Sequence, residues 1–183
     1  LDLIYGTPGL TDEKWKENVA TALSFNVPHL SCYALTVEPK TPLDKLIQLH
    51  KKENVDPDKQ SAQFLLLMDW LEEAGYEHYE ISNFARGVQN RSRHNSAYWQ
   101  MIPYDGFGPS AHSFDILRDQ GRDPGKPCPA SWVRSWNPPD VNAYIQALSS
   151  GQLPVHQSEV LTLPQQMLER VMLGLRTRDG IDI

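Results

Sequence analysis

The first 35 residues leave little freedom to the fold. Leu1–Tyr5 (LDLIY) is a short run, apolar except for Asp2, that ends at the tight loop Gly6-Thr7-Pro8-Gly9 and reads as a buried strand. Thr11 can cap a helix whose first turn carries Asp12 and Glu13, both favourable beside the positive end of the helix dipole. Trp15, Val19, Ala22 and Leu23 recur at helical spacing and give that helix one apolar face. Asn26-Val27-Pro28 ends it, and His29–Leu35 (HLSCYAL) reads as a second strand. Strand, helix, strand in so short a span is a βαβ unit, which requires parallel strands and a right-handed crossover.

The rest of the chain extends this α/β pattern. Thr36–Pro42 is a loop at the carboxyl end of the second strand, where ligands gather in parallel α/β folds. Leu43–His50 is helical, with a Lys-rich, solvated tail. Asp56-Pro57 starts a longer helix, Asp as cap and Pro in the first turn, which runs to Ala74 and stops at Gly75. Phe64, Leu65, Leu67, Met68 and Leu71 give it a broad apolar face. His78–Ile81 reads as a third strand, Ser92–Gln100 as a short helix, and Tyr104–Ser113 as a glycine-punctuated strand and turn. Asp115–Pro139, rich in Pro, Gly, Arg and Asp, reads as a surface excursion containing Trp132 and Trp136. Val141–Leu148 is a helix closed by Gly151, and Glu159–Arg176 is a last helix with Pro164 in its first turn.

Charge and cysteine content narrow the function classes. Lys and Arg number 17 against 23 Asp and Glu, a net charge of -6. A phosphate-tracking face needs a cationic excess, so broad nucleic-acid or membrane-surface binding is disfavoured. No apolar run approaches the roughly 20 residues of a membrane span. The two cysteines, Cys32 and Cys128, are too few and too far apart for a disulfide framework or a cysteine metal site, and a cytoplasmic setting follows as the expectation. The chain opens directly on a strand without Met, which reads as part of a longer protein.

Candidate chemistry concentrates between Tyr76 and His112. That stretch holds His78, His94 and His112, the amides Asn83 and Asn95, and the rings Tyr76, Tyr79, Tyr98 and Trp99. His94 and Tyr98 stand four apart and share a helix face. An imidazole beside aromatic planes suits a flat ligand with a metal at its centre. The alternative is that Tyr98 and Trp99 are core rings and His94 is a hydrogen-bonded structural histidine.

Six segments together resemble one family. LDLIYGTPG at 1–9, SCYALTVEPKTPL at 31–43, YEHYEISNFA at 76–85, HNSAYW at 94–99, GFGPSAHS at 106–113 and MLGLRTRDGI at 172–181 look like HemW-type radical SAM proteins, also known as oxygen-independent coproporphyrinogen III oxidase-like proteins. The resemblance implies an α/β fold: the C-terminal part of a radical SAM partial (β/α) barrel with parallel strands (1–75), then an α+β extension (76–151), then the start of a small helical, winged-helix-like domain (152–183). It implies that the full-length protein binds a [4Fe–4S] cluster through a CxxxCxxC loop, because soft thiolates hold the iron, together with S-adenosylmethionine. No such loop occurs in this chain, so the chain alone is expected to be inactive as a radical enzyme. The resemblance also places its start near the fifth barrel strand. An unpaired strand edge at Leu1–Tyr5 would then invite self-association.

Individual positions carry over from the same resemblance. Asp2 and Ala34 are implied as S-adenosylmethionine contacts. His94, Asn95, Tyr98 and Trp99, in the HNxxYW pattern, are implied in heme binding, with His94 as the iron ligand and Arg91 and Arg93 as partners of the propionates. Two functions compete. One is a heme-binding delivery protein that hands heme to a recipient protein. The other is an oxygen-independent coproporphyrinogen III oxidase, which decarboxylates propionate side chains by hydrogen abstraction with a 5′-deoxyadenosyl radical. A purely structural piece with no retained function is the third alternative.

Overall fold

In a computed structural model, which describes residues 1–117, 131–154 and 157–181, the chain divides into two compact units. The first comprises 1–92 together with 177–179; the second comprises 93–176 and 180–183.

The first unit is built as the opening residues require. Strand β1 (Asp2–Tyr5), helix α1 (Asp12–Ser24) and strand β2 (His29–Ala34) form the βαβ unit, with β1 and β2 parallel and Asp2 in register with Ser31. The Thr11 side chain accepts from the Lys14 amide at 3.3 Å, the expected cap. Helix α2 (Pro42–Gln48) is capped by Thr41 and α3 (Pro57–Glu73) by Asp56. Strands β3 (Glu77–Glu80) and β4 (Asn83–Ala85) complete a sheet of order β1-β2-β4-β3.

Three expectations change here. The sheet is mixed, not parallel: β4 runs antiparallel to both β2 and β3. Strand β4 itself lies in a stretch without an apolar run long enough to announce it. The two residues Ile81-Ser82 are too short for a crossover, so β3 and β4 must form a hairpin. Strand β1 is not fully buried either: it is an edge strand and Ile4 is exposed on one face.

The third change concerns α3. Leu65 points outward, 58% exposed, while Gln63 is fully buried. The Gln63 side chain accepts from the Gly6 amide at 2.9 Å and donates to Leu10 O at 3.2 Å and Asp12 Oδ1 at 3.0 Å. A polar side chain is tolerated inside because each of its hydrogen-bonding groups is met. Gly6 takes a positive φ of 68°, and a Cβ there would strike the Gln60 side chain. Above this loop the core forms from Tyr5, Trp15, Val19, Leu30, Cys32, Leu67, Leu71 and Phe84.

Residues 177–179 belong to this first unit and close the outer edge of β3. Thr177 bridges Glu80, and the Arg178 amide donates to Tyr79 O at 3.0 Å.

The second unit centres on an antiparallel sheet of order β5-β6-β7: His112–Leu117, Ser131–Trp136 and Gln157–Leu161. Helices α4 (Arg93–Trp99), α5 (Val141–Ser149) and α6 (Leu163–Gly174) accompany it. Two readings are corrected. The span 115–139 is no plain surface excursion, since its ends lie in β5 and β6; residues 118–130 of that span, Cys128 among them, lie outside the described residues. Glu159–Leu161 is strand, not helix, and α6 begins at Leu163 behind a Gln165 side chain that accepts from the Thr162 amide at 2.8 Å. Tyr104 does not open a strand. It makes one isolated bridge, its amide and carbonyl exchanging 2.9 Å bonds with Phe114.

Candidate functional site

The stretch from Tyr76 to His112 is divided between the two units: His78 lies in the first, His94 and His112 in the second. His78, on β3, stacks on Phe84 with ring centroids 4.4 Å apart and meets Phe64 edge-on at 5.6 Å. It is a packing histidine of the first unit. His112, on β5, lies over Trp136 at 5.6 Å. His94 and His112 are both exposed, but only His94 is offered by a short helix.

Helix α4 puts His94 and Tyr98 on one face, as their spacing requires, and the two rings meet edge to face at 4.9 Å. Tyr98 meets Tyr104 edge to face at 4.7 Å, and Tyr104 leans on Phe114 at 6.3 Å. Phe114 is buried and in turn meets Trp132 edge-on at 5.7 Å. Trp99 is half-buried, with its indole Nε1–H enclosed, and Asn95 is half-buried. The exposed residues of α4 are therefore Arg93, His94 and Tyr98, with the imidazole flanked by the phenol. An unhindered imidazole nitrogen suits a metal at the centre of a planar ligand, and a ring beside it suits stacking.

The nearby loop 104–111 is shaped by its glycines. A Cβ on Gly106 would overlap the His112 carbonyl, so the two backbone segments touch. Asn137 holds the loop by donating to Gly108 O at 2.9 Å and Gly106 O at 3.3 Å. This buried asparagine was not singled out from the sequence, where an isolated Asn before two prolines reads only as a turn.

The arginines divide. Arg93 begins α4 and is exposed. Arg91 is already engaged: its guanidinium donates to Glu77 at 2.8 Å and to Asp179 at 2.9 Å, and its plane lies 5.3 Å from the Tyr79 ring. Those hydrogen bonds, to Glu77 first, hold its pKa above the usual arginine value against the opposing effect of burial. Arg178 adds a second cation on Glu77 at 2.9 Å. Arg91 is thus already paired with two carboxylates of the first unit.

Asp2 and Ala34 are not brought together. Asp2 opens β1, opposite Ser31, whereas Ala34 ends β2, opposite Tyr5. Three strand residues, about 10 Å, separate those positions along the sheet. Both are exposed. The register places Asp2 on the same sheet face as Ile4, Ser31, Tyr33 and Asn83, the face turned away from the core side chains Leu3, Cys32 and Phe84. On that side the Nε2 of His29 is hydrogen-bonded to the Tyr79 hydroxyl at 2.9 Å, and that hydroxyl accepts from the Ser92 amide at 3.1 Å.

An iron–sulfur cluster does not fit the cysteine described here. Cys32 is buried in the core of the first unit, and burial pushes its thiol up to about 12. A cluster needs several cysteine thiolates brought close together, and a lone thiol held protonated does not supply them. Among the described residues no group of three or more His, Cys, Asp or Glu side chains is placed to hold a metal ion.

Comparison with known proteins follows the same lines. No family model matches the chain. The heme chaperone HemW of Bacillus subtilis is 32% identical over 181 residues, which is 99% of this chain and 44% of the relative. The heme chaperone HemW of Synechocystis is 36% identical over 182 residues, 99% of the chain and 40% of the relative. A mouse mitochondrial protein, radical S-adenosyl methionine domain-containing protein 1, is 38% identical over 121 residues, 66% of the chain and 27% of that protein. Among solved structures, the coproporphyrinogen III oxidase HemN of Escherichia coli, a radical SAM enzyme, matches with a TM-score of 0.65 at 18% identity, covering 96% of the chain and 39% of HemN. The fold is thus α/β and similar to part of the HemN fold. The chain is similar to HemW-type proteins over nearly its whole length, and it spans about two-fifths of the length of the HemW relatives.

Proposed function

We propose that this chain is the part of a HemW-type protein that offers heme its axial imidazole. The full-length protein would bind heme and deliver it to a recipient protein in the cytoplasm. The observation that carries the reading is the His94-Asn95-Ser96-Ala97-Tyr98-Trp99 segment on α4, which leaves the His94 ring exposed against the edge of Tyr98. Homology to proteins named heme chaperones, over the whole chain, supports the same reading. In it His94 offers a ring nitrogen to the iron, and Asn95, Tyr98 and Trp99 border the macrocycle. Arg93 is left as the cation for a propionate, because Arg91 is committed to Glu77 and Asp179.

The first unit then corresponds to the closing βα units of a radical SAM partial barrel. Asp2 and Ala34 would line different ends of an S-adenosylmethionine site, and the cluster would be held by residues other than those of this chain. The division of this chain at 75 and 151, with a winged-helix-like domain starting near 152, is part of the same proposal. The outer edge of β1 is proposed to drive self-association of the isolated chain; a monomer by light scattering at high concentration would refute this. No helix of the described residues is long and apolar enough to cross a membrane.

Hemin titrated into the full-length protein tests the central claim. The Soret band should shift on binding, and the His94→Ala variant should bind more weakly with an altered spectrum. An unchanged spectrum and affinity in that variant would remove His94 as ligand. The likeness to HemN gives the oxidase reading its separate test. Anaerobically reconstituted full-length protein, given S-adenosylmethionine, reductant and coproporphyrinogen III, would release a decarboxylated porphyrinogen only if that reading holds.

A further inference from the structure

From the order of ring contacts behind α4, we infer that Tyr104, which lies outside the HNxxYW pattern, is the positioning residue of the His94 face. The inference rests on the heme reading and adds the element that aims the ligand. Helix α4 has only seven residues, under two full turns, and none of them is buried. A helix this short is marginal on its own. Something must therefore set its rotation if His94 is to present one fixed ring orientation.

The ring contacts supply that constraint. Tyr98 stands between two edge-to-face partners, His94 at 4.9 Å with planes at 84° and Tyr104 at 4.7 Å with planes at 76°. Both distances lie near the short end of the range for such pairs. Tyr104 is not a loose loop residue. Its backbone is pinned to Phe114 by two 2.9 Å hydrogen bonds, and Phe114 is buried in the sheet. The chain of contact runs from the sheet through Phe114 and Tyr104 to Tyr98, and from Tyr98 to the exposed imidazole. Tyr104 is partly desolvated, and burial raises its phenol pKa, as expected of a ring wedged between helix and strand. Its work is done by the ring and not by the hydroxyl, since no hydrogen bond of that hydroxyl occurs among the described residues.

Each edge-to-face pair is worth about 0.5–1.5 kcal/mol beyond burial. Removing the Tyr104 ring should therefore weaken hemin binding about twofold to tenfold, with His94 itself untouched. The experiment uses the full-length protein and three variants, Tyr104→Leu, Tyr104→Phe and Tyr98→Leu. Two readouts are taken. The first, without hemin, is the NMR shift of the His94 Cε1 proton, which feels the ring current of Tyr98. The second is hemin affinity, together with the low-spin signal of the ferric complex in electron paramagnetic resonance.

Tyr104→Leu should move the His94 proton toward its position in Tyr98→Leu, broaden the ferric signal and lower the affinity. Tyr104→Phe should restore all three to wild type. Wild-type behaviour of Tyr104→Leu in both readouts would overturn the inference. So would a failure of Tyr104→Phe to rescue, which would assign the role to the hydroxyl. If wild-type protein does not bind hemin, the heme reading fails and the inference goes with it. A displaced His94 proton in Tyr104→Leu with hemin binding unaltered would leave the heme reading standing and sink only the positioning role.

Discussion

The two units solve one problem, covering a face of a sheet, to very different degrees. In the first, α1 and α3 press Trp15, Val19, Leu67 and Leu71 onto Leu30, Cys32 and Phe84, and the cluster is closed to solvent. In the second, the described apolar side chains of α5 and α6 stay largely open: Val141, Ile145, Leu148, Met167, Leu168 and Val171 are all exposed, and only Phe114 and Leu161 are buried apolar side chains of the sheet. The first unit is held by buried area, whose contribution grows with every side chain removed from water. The second is held by strand pairing and a line of aromatic edges. The proposed ligand face lies in the unit with less packing behind it, which is why one ring, Tyr104, matters so much there.

The sharpest way to break this comparison is at Trp15. The Trp15 side chain is fully buried and its indole N–H donates to Gln63 O at 3.2 Å. Trp15→Ala should cost about 3–5 kcal/mol in denaturant unfolding. A loss below about 1 kcal/mol would mean that the first unit is not the packed one. Next in size is Gln63→Ala, which strips the acceptor from the Gly6 amide and the donor from Asp12 and Leu10. Leaving those groups unpaired should cost about 1–3 kcal/mol. If the change were neutral, the loop after β1 would not depend on α3.

Acid should act on the first unit through His29. Burial lowers its pKa below the ordinary 6.5, with Glu80 and Asp2 opposing. A histidine whose folded pKa is depressed favours folding only while neutral. Its contribution is complete above the unfolded pKa and is lost as pH falls through 6.5 towards the folded value. Unfolding free energy should drop over that window, and His29→Gln should flatten the drop. An identical slope in both proteins would free the His29–Tyr79 bond of any part in acid sensitivity. The smallest effect is expected at Leu168, 69% exposed on α6. Leu168→Ser should change stability by less than about 0.5 kcal/mol. A loss comparable to Trp15→Ala would reveal a covered face there and erase the contrast between the units.

Much of the architecture is legible along the chain. The caps at Thr11 and Asp56, the stops at Gly75 and Gly151, and the periodic Trp15, Val19 and Ala22 all appear where local rules put them. The His94–Tyr98 pairing is legible for the same reason, since four residues make one helix face. What is not legible has a common character. Leu65 and Gln63 are two apart on one helix, and hydropathy alone ranks the wrong one inward. Strand β7 hides within a span that carries helix-forming residues and a proline start, because strand pairing with β6 outweighs local propensity there. Tyr104 escapes notice because its partners are a helix before it and a strand after it.

By itself the sequence determined the βαβ opening, the helix limits and the residues that α4 presents, and its six segments pointed to the HemW-type family. These depend on interactions within a turn or two of chain, or on motifs written contiguously. Only the tertiary structure decided which way β4 runs, that Gln63 is the amide Gly6 donates to across 57 positions, and that Arg91 is bound to Asp179 across 88. A buried polar group takes whichever partner packing brings within about 3 Å, and that partner is chosen by the fold rather than by nearness in sequence.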